Sequence, residues 1–197
     1  MDKYTPLAEF EVAILKMDDD IRKPLRVLQT TDESENEILL KKSEPIDPRD
    51  PNLKLLISKL YATVKDEDKP GVGIAAPQVG INRRVFLAQR MDKKNNPFEF
   101  FINPEIVWYS KIKRVGEEGC LSIPDVYENV VRSLAIQITY YDLEGTHFQE
   151  VIEGFTAVIL QHEYDHLNGV LFPQRIEEQI ENEYFNASPT GELVYKK

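Results

Sequence analysis

The stretch LQHEYDHLNG, residues 160–169, places two of the chain's three histidines four positions apart, with a glutamate directly after the first. On a helix, residues four apart project from nearly one face. His162 and His166 can therefore offer two imidazoles to one ion. Phe155, Ile159, His162 and His166 follow one another at steps of four, three and four, so the imidazoles share the apolar side of that helix. Glu163 falls at the margin of the stripe, where a carboxylate can reach a water on the metal without ligating the metal. This is the physical logic of the helical His-Glu-x-x-His motif.

Two ligands do not hold a catalytic metal, so the third decides the chemistry. Phe172 stands where a metzincin needs its third histidine, which excludes that group. A glutamate ligand would come from Glu181 or Glu183, in an acidic segment that reads more simply as a solvated face. His147 follows a turn and reads as exposed. Cys120, in EEGCLSIP with Gly119 beside it, offers a softer ligand suited to ferrous iron or zinc alongside imidazole. A lone cysteine among apolar neighbours is also often simply buried. Residue types and spacing alone leave four readings open: a metal hydrolase using Cys120, a zinc endopeptidase using a glutamate, a Cys–His hydrolase with Cys120 as nucleophile and His162 as base, and a metal-stabilised structural domain.

The elements that must position these residues follow from periodicity and turn signals. RDPNLKLLISKLYATVKDEDKPG predicts a helix, with Asp50 as cap, Pro51 in the first position, and Leu53, Leu56, Ile57, Leu60, Tyr61 and Val64 at helical spacing. Strand-like runs come next: RRVFLAQ, FEFFINP, EIVWYS, VYENVVR, LAIQITYYD and FQEVIEG. FTAVILQHEYDHLNG forms the second helix and closes at Asn168-Gly169. QRIEEQIENEYF suggests a third, and NASPTGELVYKK a tail. Strands in succession between helices argue for an α+β fold with largely antiparallel sheets. The first 24 residues are ambiguous, because Phe10, Val12 and Ile14 alternate like a strand while AEFEVAILKM also suits a turn or two of helix. A phosphate-cradling reading of Gly71-x-Gly73-x-x-Ala76 fails on order, since that loop follows a helix and precedes a strand.

Composition narrows the partners. At 197 residues a single domain with tails is the default. A net charge of −10 repels phosphate backbones and anionic lipid, which argues against strong nucleic-acid binding. No run approaches the roughly 18 apolar residues of a membrane span, and the start carries acids where a secretory signal carries bases. One cysteine makes no intramolecular disulfide. These features together suggest a cytoplasmic protein.

Three stretches in order, GVGIAAPQVG (71–80), EGCLSIP (118–124) and QHEYDHLNG (161–169), resemble the motifs of the peptide deformylase family in residue type and separation. FINPEI and GVLFPQRI resemble it too, and the likeness runs from about Leu25 to about Ile176. It implies a catalytic domain over 25–176, preceded by an extension of unknown role (1–24) and followed by a C-terminal helix and tail (177–197). The implied fold is α+β, its antiparallel sheets packed around a central metal-binding helix. The implied reaction removes the formyl group from the N-terminal formyl-methionine of new polypeptides and releases formate, with water on the metal attacking the carbonyl. By position, Cys120, His162 and His166 match the family's metal ligands, and Glu163 its general base and acid. Gln78 and the Leu121 backbone N–H match donors to the substrate carbonyl oxygen, and Gly73 matches a main-chain partner of the extended substrate. The resemblance implies one divalent ion, ferrous iron in the cell, with zinc, nickel or cobalt able to replace it. Phe155, Val158 and Ile159, one or two turns before His162, are candidates for the pocket that takes the methionine side chain. Nascent formyl-Met chains as substrate imply transient proximity to the ribosome. The tail from Pro173 onward carries five acids and three bases, so it is not a basic arm for ribosomal RNA. One departure stands out: family members often have an arginine seven residues after the cysteine, near the glutamate matching Glu118, and this chain has Tyr127 there. Arg132 or the Tyr127 hydroxyl is then the expected partner of Glu118.

Overall fold

Period-two and period-3.6 hydrophobic patterns sort into two antiparallel sheets with one deeply buried helix. The structure, a computed structural model, describes residues 4–196, so Met1, Asp2 and Lys3 of the N-terminal extension and Lys197 of the tail lie outside the described residues. Three helices come first, α1 (Glu9–Leu15), α2 (Glu33–Leu39) and α3 (Leu53–Val64). Strand β1 (Gly73–Ala75) runs into a 3-10 turn (Ala76–Val79), and β2 (Val85–Gln89) and β3 (Phe98–Tyr109) follow. Next are β4 (Ile112–Cys120), β5 (Ile123–Ser133), β6 (Ala135–Tyr141) and β7 (His147–Glu153). Helices α4 (Gly154–Leu167) and α5 (Phe172–Gln179) then lead to β8 (Tyr184–Asn186) and β9 (Leu193–Lys196). One sheet has the order β1-β2-β3-β6-β7 and the other β5-β4-β9-β8. Helix α4 packs on β1, β2, β3, β6 and β7 of the first sheet and on β5 of the second, which makes it the central element. Its buried face, including Ala157, Ile159, Leu160 and Leu167, joins Phe86, Phe101, Ile136 and Ile138 in one apolar cluster.

Several boundaries differ from the sequence expectation, each for a local reason. Helix α3 begins at Leu53, after a turn closed by the Leu53 N–H on the Asp50 carbonyl at 3.1 Å, while the Asp50 carboxylate accepts from the Asn52 N–H at 2.7 Å, as a cap does, and from the Leu7 N–H at 2.7 Å. Pro51 therefore lies in the preceding turn. Leu53, Leu56, Leu60 and Val64 face the core as expected, while Tyr61 is exposed and meets Phe98 edge-on. FEFFINP and EIVWYS merge into the single strand β3. Its register shifts between Ile102 and Glu105, where Asn103 adopts φ +47° and Pro104 needs no ladder donor. The Asn103 side chain spans that bulge by pairing with both backbone groups of Ile46 at 2.9 and 2.7 Å. The third helix ends at Gln179, earlier than expected, and Tyr184 and Phe185 enter β8. The supposed tail is a hairpin: β9 pairs with β8 and adds to β4 through Ile112↔Tyr195, Lys113↔Val194 and Arg114↔Leu193.

The leading segment resolves as helix and is tied to the core by buried polar groups. Glu11 and Arg83 form a buried ion pair, with the Arg83 Nε 2.9 Å from both carboxylate oxygens, and the same guanidinium donates to Thr5 Oγ1 at 2.6 Å and to the Pro6 carbonyl at 3.0 Å. Lys59, fully buried on α3, donates to the Asp18 and Asp20 carbonyls at 3.1 and 2.7 Å. Among the described residues, no helix is long and apolar enough to cross a membrane.

Candidate metal centre

Helix α4 carries His162 and His166 into the interior, and the C-terminal end of β4, in the four-stranded sheet, brings Cys120 to them. Cys120 Sγ and a nitrogen of each histidine lie within 4.8 Å of one another, with Sγ 3.3 Å from His166 Nε2. A tetrahedral zinc with bonds of about 2.3 Å to sulfur and about 2.05 Å to nitrogen would separate those two atoms by about 3.6 Å. The donor set therefore fits a tetrahedral cation. Glu181 and Glu183 are exposed beyond α5, and His147 is exposed at the start of β7, so none of them competes for the third position.

The neighbouring groups fix the ligands. His162 Nδ1 lies 2.9 Å from Glu118 Oε2, which directs Nε2 toward the site. Glu118 in turn receives two bonds from Arg132, Nε to Oε1 at 2.8 Å and Nη2 to Oε2 at 2.9 Å, and Arg132 Nη1 reaches Asp165 Oδ2 at 2.5 Å. Arg175 from α5 completes the chain on Asp165 at 2.6 and 3.0 Å. Of the two expected partners of Glu118, Arg132 holds the position. The Tyr127 ring instead packs over Gly119, where an added Cβ would stand 2.5 Å from Cε1, and remains 67% exposed. Two glutamines pin the strand on either side of Arg132: Gln161 pairs with both backbone groups of Ser133, at 2.9 and 2.8 Å, and Gln179 with both of Val131, at 3.0 and 2.8 Å.

Electrostatics follow from this arrangement. Burial raises the Glu118 pKa, but hydrogen bonds from His162 and Arg132 outweigh it and hold the carboxyl at about 2. Burial also pushes the Cys120 thiol up, while the His166 and His162 imidazoles more than offset it and leave it well below its ordinary value. His162 is drawn the other way, well above its ordinary value, by Cys120 and Glu118 acting against burial. Both directions express a demand for positive charge between thiolate and carboxylate, which a divalent cation meets with the imidazoles neutral. Glu163 differs: burial pushes it up to about 7, and its Oε2 is buried with no hydrogen-bond partner among the described residues. A Cβ on Gly73 would stand 2.3 Å from Glu163 Oε1, so only glycine lets β1 pass this close to the carboxylate.

A cleft of about 300 Å³ opens onto these groups. Gly73, Gln78, Cys120, Leu121, His162 and Glu163 line it, together with Phe155, Val158 and Ile159 from the preceding turns of α4. All the candidate residues thus converge, with the His166 imidazole buried behind the wall. The 3-10 turn holds Gln78 so that its Oε1 accepts from the Ala75 N–H at 2.9 Å, leaving Nε2 turned toward Ser122 Oγ at 3.2 Å and the thiol at 3.7 Å. Residues that sequence reasoning missed are Gln161, Asp165 and Arg175, which act through Arg132, and Gln29, whose Nε2 donates to the Leu121 carbonyl at 3.0 Å. None of these carried a sequence signal: Asp165, one turn from His162, sits among Gln161, Tyr164 and Asn168 and reads as one more polar position.

Such a site suits metal-dependent hydrolysis of an unactivated amide. A family profile described as polypeptide deformylase matches residues 25–182. A peptide deformylase of Thermotoga maritima is 43% identical over 139 residues, covering 71% of this chain and 81% of that protein. The crystal structure of the Thermotoga maritima enzyme superposes with a TM-score of 0.68 at 38% identity, covering 77% of this chain and 96% of the other. A Met-Ala-Ser-bound class I type b peptide deformylase from Acinetobacter baumannii gives a TM-score of 0.68 at 36% identity, over 77% and 97% of the two chains. The chain belongs to the peptide deformylase family, enzymes that remove the N-formyl group from nascent polypeptides in a metal-dependent reaction.

Arg132→Ala leaves the Glu118 carboxylate buried without its cation and frees His162 Nδ1 to rotate. Cation affinity is expected to fall by about 10–100-fold, read by chelator competition. Stability is expected to drop by about 3–5 kcal/mol, read by urea denaturation. Unchanged affinity would remove Arg132 from the support of the metal centre.

Proposed function

We propose that Cys120, His162 and His166 hold one divalent cation, ferrous iron in the cell, and that Glu163 moves the protons of deformylation. The observation that carries this reading is the convergence of three potential ligand atoms within 4.8 Å beside a buried carboxylate oxygen that no group among the described residues satisfies. When bound, the cation supplies Lewis acidity toward the carbonyl oxygen and toward water. Glu163, with a pKa near the working pH, accepts the proton of the attacking water and delivers it to the departing amine. Gln78 Nε2 and the Leu121 N–H donate to the formyl oxygen as negative charge grows on it, and losing one such donor costs about 100-fold or more in rate. The amide dipole of Gln78 needs no reorganisation, because Ala75 and Ser122 already fix it.

Substrate binding uses the same walls. Among the described residues, strand β1 pairs only with β2, which leaves its other edge to add an extended peptide by main-chain bonds at Gly73. Phe155, Val158 and Ile159 supply an apolar wall for the methionine side chain, and the tripeptide Met-Ala-Ser in the Acinetobacter baumannii structure is a peptide of the product's form. We assign catalysis to residues 25–176, with residues 1–24 as an extension and 177–197 as a C-terminal helix and appended segment. The enzyme meets its substrate in the cytoplasm near the ribosome. Its net charge of −10 argues that this proximity is transient and not held by binding RNA. The narrow approach between Gly73 and Cys120 admits a formyl hydrogen and excludes a methyl. Formyl-Met-Ala-Ser is therefore expected to release formate at least about 100-fold faster than acetyl-Met-Ala-Ser releases acetate. Equal rates on the two peptides would contradict the proposed selectivity.

A further inference from the structure

A second cavity, of about 430 Å³, borders α4 at Gln161 and Asp165 and shares no lining residue with the metal cleft. Cross-strand register builds its floor. Ser133, Lys113 and Val194 are paired neighbours across β5, β4 and β9, and Tyr184 pairs with Lys196, two residues beyond Val194 and so on the same face. Helix α5 forms the opposite wall.

The charge in this cavity does not balance. Its lining has four cationic side chains, Lys113, Arg132, Arg175 and Lys196, against the carboxylates of Asp165 and Glu178. Both arginines are committed: Arg132 to Glu118 and Asp165, Arg175 to Asp165 and Glu178. No carboxylate among the described residues pairs with either lysine. Lys113 Nζ spends one of its three donors on Ser133 Oγ at 2.8 Å. In a chain of net charge −10, two ammonium groups without a carboxylate partner among the described residues, on one concave surface, form a local anion trap. Burial pushes the Lys113 pKa down and Lys196 pushes it the same way, a conflict that a bound anion would relieve. The Tyr184 hydroxyl accepts from Asn182 Nδ2 at 3.2 Å, which leaves its proton free to donate, and burial pushes the Tyr109 phenol up to about 12, so it too remains a donor.

We propose that the cavity between β4, β9 and α5 binds a small phosphate-bearing dianion through Lys113 and Lys196, with the Tyr109 and Tyr184 hydroxyls as further donors. Its volume exceeds that of inorganic phosphate, which leaves room for the carbon portion of a small phosphate monoester.

The test is isothermal titration calorimetry of inorganic phosphate into the nickel-loaded full chain in phosphate-free buffer, repeated with glycerol phosphate. Saturable one-site binding is expected, weakened about 10-fold or more by Lys113→Met and by Lys196→Met and unchanged by Lys111→Met, which lies outside the cavity. Tighter binding of glycerol phosphate would identify a monoester as the ligand, and equal binding would identify free phosphate. Formate release by Lys113→Met should match wild type, which verifies its fold, and Lys196→Met provides the second variant should it not. No saturable heat with either probe would overturn the proposal. So would heat that persists in both lysine variants and disappears when the metal is stripped, because that places the anion on the metal.

Discussion

Glu163→Gln is expected to bind one cation per chain as wild type does and to lose formate release by about 10²–10⁴-fold. The two side chains have nearly the same volume, so the tight contact with Gly73 survives and β1 keeps its course. What disappears is the group that can take a proton. Glu163 is not among the three convergent donors, which are the thiol and the two imidazoles. Its buried Oε2 has no partner among the described residues, which leaves it available for transient bonds to water and to the departing amine. Elemental analysis of the purified variant beside a formate assay on formyl-Met-Ala-Ser separates the two functions. Wild-type turnover with a full complement of metal would remove Glu163 from the proton path.

Cys120→Ser is expected to fold normally and to lose cation affinity by more than about 100-fold, beyond the 10–100-fold typical of losing a ligand's supporting partner. Near neutral pH a serine hydroxyl stays protonated, and it is a harder donor than thiolate. The two imidazoles draw the thiol below its ordinary value against burial, so this position favours a thiolate. Chelator competition followed by metal analysis measures the loss, and circular dichroism verifies the fold. Retention of the cation at wild-type affinity would return the third ligand to a carboxylate and favour the endopeptidase reading.

The two imidazoles were legible because a helix converts a spacing of four into a shared face, and an apolar stripe says which face is buried. No periodicity connects Cys120 to them. The 46 positions from Cys120 to His166 are crossed by β5, β6 and β7, and only the order of three motifs gave the pairing in advance. Strand β4, which delivers Cys120, was missed because IKRVGEEGC contains two glycines and adjacent glutamates. Glu118 is buried there only because Arg132, fourteen positions later, neutralises it. A buried ion pair looks like two exposed residues until the partners are seen together. The same blindness hid the Glu11–Arg83 pair that docks the leading segment, and it obscured Asp165 and Arg175. The terminal hairpin escaped for a different reason: β9 has four residues, of which only Val194 is buried, so its strand identity comes from pairing with β4.

The most direct test of the metal centre is X-ray absorption at the zinc K-edge of protein loaded with one equivalent of zinc. The structure predicts a first coordination shell with one sulfur at about 2.3 Å and two imidazole nitrogens at about 2.0–2.1 Å. A shell of nitrogen and oxygen alone, without sulfur, would contradict it.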